Sequence, residues 1–170
     1  MNSTQFVLTI IARDKPGIVQ ALSDVVLACQ GSWLESSLSR LGGQFAGIIS
    51  VRIPDDNLND FKKALSDLLS TGITVKIHSF DEDYAVAGKP ATIFIEANDR
   101  AGIIEEISTA LVDKNVNVEK LVSECQSASM AGYALFKAEI EVTLPKRFTV
   151  TKLEALMEKI SDDLMVTVKQ

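Results

Sequence analysis

The residues best suited to chemistry in this 170-residue chain occur twice. Arg13-Asp14-Lys15-Pro16-Gly17-Ile18 is answered 85 residues later by Asn98-Asp99-Arg100-Ala101-Gly102-Ile103, so an acid, a cation and a glycine stand together in each copy. A glycine at a strand-to-helix junction has no β-carbon to obstruct a close approach, and the first N–H groups of a helix are free to meet a carboxylate. Asp14 or Asp99, with nearby carbonyls, supplies acceptors for an ammonium group. Together these groups suit holding a zwitterion such as an amino acid. Each residue also has a plain structural role. Gly17 and Gly102 suit a tight bend and close helix packing, Asp14 and Asp99 suit helix caps, and Lys15 and Arg100 suit solvated turn positions.

Bond-making chemistry finds no support. No nucleophile, base and acid set is present, and no GxxxxGK[ST] phosphate loop occurs. His78, the one histidine, falls on the polar phase of a strand, and Cys29 and Cys125 lie far apart without metal-ligand or redox spacing. Cys29 sits in the apolar stripe of a helix and reads as core packing. The acid pairs Asp55-Asp56 and Glu105-Glu106 lie at helix starts, where the dipole favours them. The expectation is no catalytic residue, no metal, no cofactor and no enzyme.

Seventeen Lys and Arg against 23 Asp and Glu give a net charge of −6, the wrong sign for gripping a polyanion. The helical segments are separated by strands, and the most basic cluster, Lys146-Arg147, is too small to follow a duplex, so direct nucleic-acid binding is excluded. No basic leader precedes an apolar segment, and no apolar run reaches the ~20 residues that span a bilayer. A cytoplasmic protein with no membrane partner is expected.

The turns require elements to position them. Phe6–Ala12 reads as a buried strand, and Pro16 suits the first turn of a helix striped by Ile18, Leu22, Val25, Val26 and Cys29 and ending near Gly31. Alternation over Trp33–Arg40, the Gly42-Gly43 turn and Phe45–Ile53 predict a hairpin. A second helix, with caps at Asp55–Asn57, carries Leu58, Phe61, Leu65, Leu68 and Leu69, and Ile73–Ile77 forms a fourth strand. The second half repeats this βαββαβ order, with strands near Ala91–Ala97, Val116–Cys125, Tyr133–Thr143 and Met165–Lys169 and helices near Ala101–Lys114 and Thr151–Ser161. Thr151 to Glu154 has capping-box spacing. Its hairpin is about six residues longer, because Leu144-Pro145 answers Ile53-Pro54 at an offset of 91, and Gln126–Gly132 reads as the extended loop. The predicted division is 1–80, a linker at 81–90, and 91–170. Halves this small expose much of their surface, which favours contact with each other or with a second copy in a homo-oligomer.

Apolar strand, Asp-Lys/Arg-Pro/Ala-Gly-Ile turn, amphipathic helix and hairpin together resemble the ACT domain, over nearly the whole chain twice. The resemblance implies an α+β fold of two ferredoxin-like βαββαβ domains in tandem, with antiparallel sheets and helices on one face. Two such units without a catalytic or DNA-binding domain look like the glycine cleavage system transcriptional repressor family. That family implies an amino-acid-responsive repressor, with glycine as the signal, acting on a separate DNA-binding activator. In ACT pairs the ligand lies between the turn of one unit and the start of the second strand of the other. The implied site is Asp14, Lys15, Pro16, Gly17 and Ile18, with Ser32 and Trp33, and Asp99, Arg100, Ala101, Gly102 and Ile103, with Asn117 and Val118. Ala101 departs from the pattern's proline, which weakens the case for the second turn. Trp33 also suits packing against the other repeat. The longer hairpin, the linker and the open sheet face are the expected partner surfaces. The alternative function is a detached amino-acid-binding regulatory subunit of a biosynthetic enzyme; an enzyme on the same fold is weakest.

Overall fold

Alternating apolar residues make one face of each sheet the buried one. In the first unit Leu8, Ile10 and Ala12 are buried on β1 (Ser3–Arg13), and Ile49, Val51 and Ile53 on β3 (Gln44–Pro54). Across the ladder Leu8 pairs with Ile49, so both strands present apolar side chains to the same side. There α1 (Ile18–Ala28) contributes Ile18, Leu22 and Val26, and α2 (Leu58–Asp67) contributes Phe61 and Leu65. Phe61 is fully buried and its ring stacks on Phe6 with centroids 6.3 Å apart. Burying each such side chain stabilises by about 1.5–3 kcal/mol.

The computed structural model describes residues 2–80, 87–127 and 134–169. The chain divides into two compact units, Met1–Asp83 and Tyr84–Gln170. The first adds the hairpin partner β2 (Ser32–Leu41) and the edge strand β4 (Ile73–Ser79), giving an antiparallel sheet in the order β2-β3-β1-β4. The second is built from β5 (Lys89–Asn98), α3 (Ile103–Val112), β6 (Asn117–Ser127), β7 (Ala134–Leu144), α4 (Val150–Glu158) and β8 (Met165–Lys169). Its sheet order, β6-β7-β5-β8, is the same arrangement shifted by four strands. The fold is α+β: two ferredoxin-like βαββαβ units, each with an antiparallel sheet and its helices on one face.

Several boundaries differ from the sequence expectation for local physical reasons. Pro16 precedes α1 and Gly17 occupies its N-cap position. The left-handed residue that ends α1 is Gln30, not Gly31; the N–H of Gln30 donates to Leu27 and that of Gly31 to Val26. Asn115 plays the same part after α3. Gly31 is required for space, since a β-carbon there would overlap the Ile53 side chain. Asp55–Asn57 form a 3-10 turn and make no side-chain cap; Asn57 donates to the Cys29 carbonyl at 2.8 Å. The N-cap of α4 is Thr149, whose hydroxyl accepts from the Lys152 N–H at 3.4 Å, so Thr151 lies inside the helix and the expected capping box is absent. Lys89 and Pro90, expected in the linker, belong to β5 and pair with Leu144 and Thr143. Gln126 and Ser127 extend β6; the rest of the expected loop lies outside the described residues.

The two open sheet faces differ in chemistry. On the first, Val7, Thr9 and Ile11 of β1 adjoin Ser50, Ile48 and Ala46 of β3, with Ile11 and Ile48 about half exposed. On the second, Lys120 pairs with Glu141 at 3.0 Å, Lys137 with Glu96 at 3.3 Å, and the Lys169 ammonium sits 5.1 Å from the centre of the Phe94 ring.

Candidate functional site

The first turn is held at both ends and open between them. β1 delivers Asp14, whose backbone N–H donates to the Gly43 carbonyl at 3.0 Å, and the buried Ile18 side chain anchors the start of α1. Between these points Gly17 adopts φ 92°, in the left-handed region that favours glycine, and a β-carbon there would meet nothing within 4 Å. The residue is therefore glycine for its backbone angle, not for the close packing expected. No side chain caps α1, and its first turn contains no acid. Beside it is a cavity of about 250 Å³ lined by Asp14, Lys15, Gly17, Gln20 and Phe45, among others.

Asp14 does not cap the helix. Its carboxylate lies 3.7 Å from the Arg40 guanidinium across the end of the hairpin. Lys15 is not a free solvated side chain either, since its ammonium donates to the Thr71 carbonyl at 2.7 Å, at the end of the 3-10 turn Leu68–Thr71. An uncapped helix start, an acid and two cations are thus gathered at one end of the sheet. Such a set offers donors to a carboxylate and an acceptor to an ammonium.

The second turn has the same backbone and different side chains. Gly102 adopts φ 89°, and the Asp99 N–H donates to the Ala134 carbonyl at 2.8 Å. Asp99 is no cap: no side chain caps α3, and Asp99 faces Cys125, whose thiol is pushed up first by desolvation and then by that carboxylate. Arg100 donates through both terminal nitrogens to Glu106, at 2.7 and 2.6 Å. This fork holds the Glu106 carboxyl below its ordinary range and raises the guanidinium. Asp163, itself held down by a hydrogen bond from Ser161, adds a further negative charge acting on Arg100.

The remaining expected residues stand elsewhere in their own units. Ser32 pairs with Arg52, which pairs with Gln5, whereas the turn follows Arg13 at the other end of β1. Ser32 and Trp33 are therefore about 25 Å from the turn of the same unit at ~3.3 Å per residue. Trp33 is half-buried on the core of its own unit. Asn117 donates to Glu119 at 2.7 Å, a bond that with Thr143 lowers the Glu119 carboxyl, and Val118 is 41% exposed at the start of β6. Neither unit alone unites its turn with the start of its second strand.

Sequence reasoning missed Arg40, Phe45, Thr71, Glu106 and Cys125. The 85-residue repeat carried a signal for three of them, since it sets Ala21 against Glu106 and Arg40 against Cys125. Among the described residues no three His, Cys, Asp or Glu side chains gather as a metal site. No helix among them is long and apolar enough to cross a membrane.

Comparison with known proteins agrees with this architecture. Residues 4–78 match the family model of the ACT domain. A protein of unknown function from Galdieria sulphuraria superposes with a TM-score of 0.87 at 22% identity, covering 99% of this chain and 98% of that one. A candidate glycine cleavage system transcriptional repressor superposes with a TM-score of 0.72 at 14% identity, with coverage of 99% and 98%. No match was found among curated protein sequences. The match to the ACT-domain model lies over the first unit, and the second unit repeats that unit's strand order and glycine-capped turn, so the chain carries the same fold twice.

Proposed function

We propose that this protein is an amino-acid-responsive regulator that represses transcription of the glycine cleavage system by binding a DNA-binding activator, with glycine as its effector. The observation that carries the reading is the open first turn, where the uncapped start of α1 lies beside Asp14, Lys15 and Arg40. A zwitterion suits this place, because the free N–H groups and cations complement a carboxylate and Asp14 complements an ammonium. The full-length likeness in fold to a candidate glycine cleavage repressor supports the choice of pathway. The acidic net charge disfavours DNA contact by this chain and so supports a reading in which the partner makes it. The open face of the first sheet, with Ile11 and Ile48 half exposed among Thr9 and Ser50, suits that partner better than the ion-paired face of the second.

Coupling requires that glycine bind the free and partner-bound forms with different affinity. Calorimetric titration against the twenty amino acids, followed by capture of the partner from extract with and without the ligand found, tests the reading. Glycine binding together with ligand-dependent recovery of a transcription factor is the expected result. Recovery of a biosynthetic enzyme instead would replace the repressor by a detached regulatory subunit, and absence of any amino-acid binding would end both.

A further inference from the structure

The two turns share a backbone but differ in the charges set around it, and this difference has a consequence for stoichiometry. The 85-residue offset places Lys15 against Arg100, Gln20 against Glu105, Ala21 against Glu106, and Arg40 against Cys125. Around the first turn two cations, Lys15 and Arg40, accompany one acid, Asp14, and the first turn of α1 holds no acid. Around the second, one cation, Arg100, meets Glu106 and Asp163, while Glu105 and Glu106 both lie in the first turn of α3. We propose that the repeats have divided their roles: the first turn receives the ligand, and the second is closed by its own Arg100–Glu106 ion pair, so that the chain takes one amino acid, not two. This inference rests on the amino-acid reading above.

The geometry shows how the closure works. Both terminal nitrogens of Arg100 are engaged by Glu106, at 2.7 and 2.6 Å, so the guanidinium has spent its fork on an internal carboxylate. A Glu106 oxygen lies 3.9 Å from where a β-carbon of Gly102 would stand, whereas the same point at Gly17 has nothing within 4 Å. An incoming carboxylate therefore meets another carboxylate at the second turn and open space beside cations at the first. Side chains reach one helical turn back when they are three or four residues along, which is the relation of Glu106 to Gly102. Ala21 occupies the matching position on α1 and has nothing to send there. The pair is about one-third exposed on both sides, with 33% and 38% of the two side chains accessible, so it is fixed by its bidentate geometry more than by burial.

The test uses the full chain, with glycine and the other nineteen amino acids as probes, read by calorimetry and by backbone amide shifts in NMR. The native chain should bind one ligand, with shifts at Gly17–Gln20. Ala21→Glu should weaken binding roughly two- to fivefold, while Ala21→Gln, similar in size and uncharged, keeps it. Should Ala21→Glu fail to fold, Glu106→Ala carries the test alone, because it should add a second binding event with shifts at Gly102–Glu105. Two ligands on the native chain, shifts confined to the second turn, or a Glu106→Ala variant that still binds one would overturn the division and leave the amino-acid reading standing. Failure of both native and Glu106→Ala chains to bind any amino acid would overturn that reading and the division with it.

Discussion

Replacing Gly17 by alanine isolates the cost of the turn's backbone. At φ 92° an L-residue is in the left-handed region, and the added methyl would touch nothing within 4 Å, so no clash contributes. The expected loss is the conformational term alone, about 1–2 kcal/mol. For a unit of this size each kcal/mol lowers the melting temperature by roughly 4–8 °C, which predicts a drop on the order of 4–15 °C. Gly17→Asn supplies the check on cause, because asparagine tolerates this region better than alanine and should recover part of the loss. Gly31→Ala is the contrast: Gly31 has no positive φ, and its β-carbon would crowd Ile53 and lie 3.1 Å from Val26. There the loss is overpacking of about 1–3 kcal/mol, and asparagine would only enlarge it. Thermal unfolding followed by circular dichroism on the four variants separates the two mechanisms. Equal stability of Gly17→Ala and the native chain, or asparagine worse than alanine at position 17, would refute the argument from backbone angle. The same variants bear on binding. A folded Gly17→Ala, Gly102→Ala double variant with undiminished affinity for the amino acid would remove both turns from the site.

The other expectations concern the core, the thiols, acid and DNA. Phe61→Ala empties a fully buried site stacked on Phe6 and should cost about 3–5 kcal/mol, visible in chemical denaturation; a loss below 1 kcal/mol would show that the core is not packed as described. In the native protein a thiol reagent should reach the exposed Cys125 and spare the buried Cys29, which should react only on unfolding; equal rates would contradict the burial. Glu106 and Asp163 both have carboxyls held below their ordinary values, the first by Arg100 and the second by Ser161. Their contribution to stability is present above the ordinary carboxylate range and is lost as pH falls through the lowered folded values, roughly from pH 5 downward. Glu106→Gln should flatten part of that acid slope, and unchanged slopes would count against the pair. Finally, the chain alone should give no sequence-specific complex with a duplex at physiological salt in a gel-shift assay.

The strands and helices were legible because burial imposes a period. Ile18, Leu22 and Val26 repeat as Ile103, Ile107 and Leu111, and all six are buried. Helix ends were less legible. A cap depends on which of several adjacent polar residues has the right backbone angles, so spacing points to Thr151 where Thr149 makes the cap, and to Asp14 and Asp99 where the glycines beyond them fill the position themselves. Gly31 looked like a left-handed terminator, yet its reason is the side chain of Ile53, more than twenty residues away. The turns themselves were visible as a repeat. What surrounds them was less so, because some neighbours come from distant elements, Arg40 from the hairpin and Thr71 from the end of the second helical segment, while Glu106 lies nearby in the first turn of α3 and its partner is set by side-chain geometry.

These two kinds of position also explain how one fold repeated in a single chain carries two unlike turns. A change at Ile18 or Leu22, or at their counterparts, disturbs a packed interior and costs several kcal/mol when atoms are lost. Both copies keep apolar residues there, and with them the strand order and the glycine at positive φ. Arg40 and Cys125 are exposed at the rim, where a substitution is usually worth less than about half a kcal/mol, and Ala21 and Glu106 are only partly buried at its edge. Stability places little restraint on such residues, whereas a charge near a helix start shifts the affinity of an anion by an amount that matters for binding. The rim is therefore where the repeats could diverge in ligand chemistry without losing their common architecture, and the Arg100–Glu106 pair is where that divergence has its clearest physical effect.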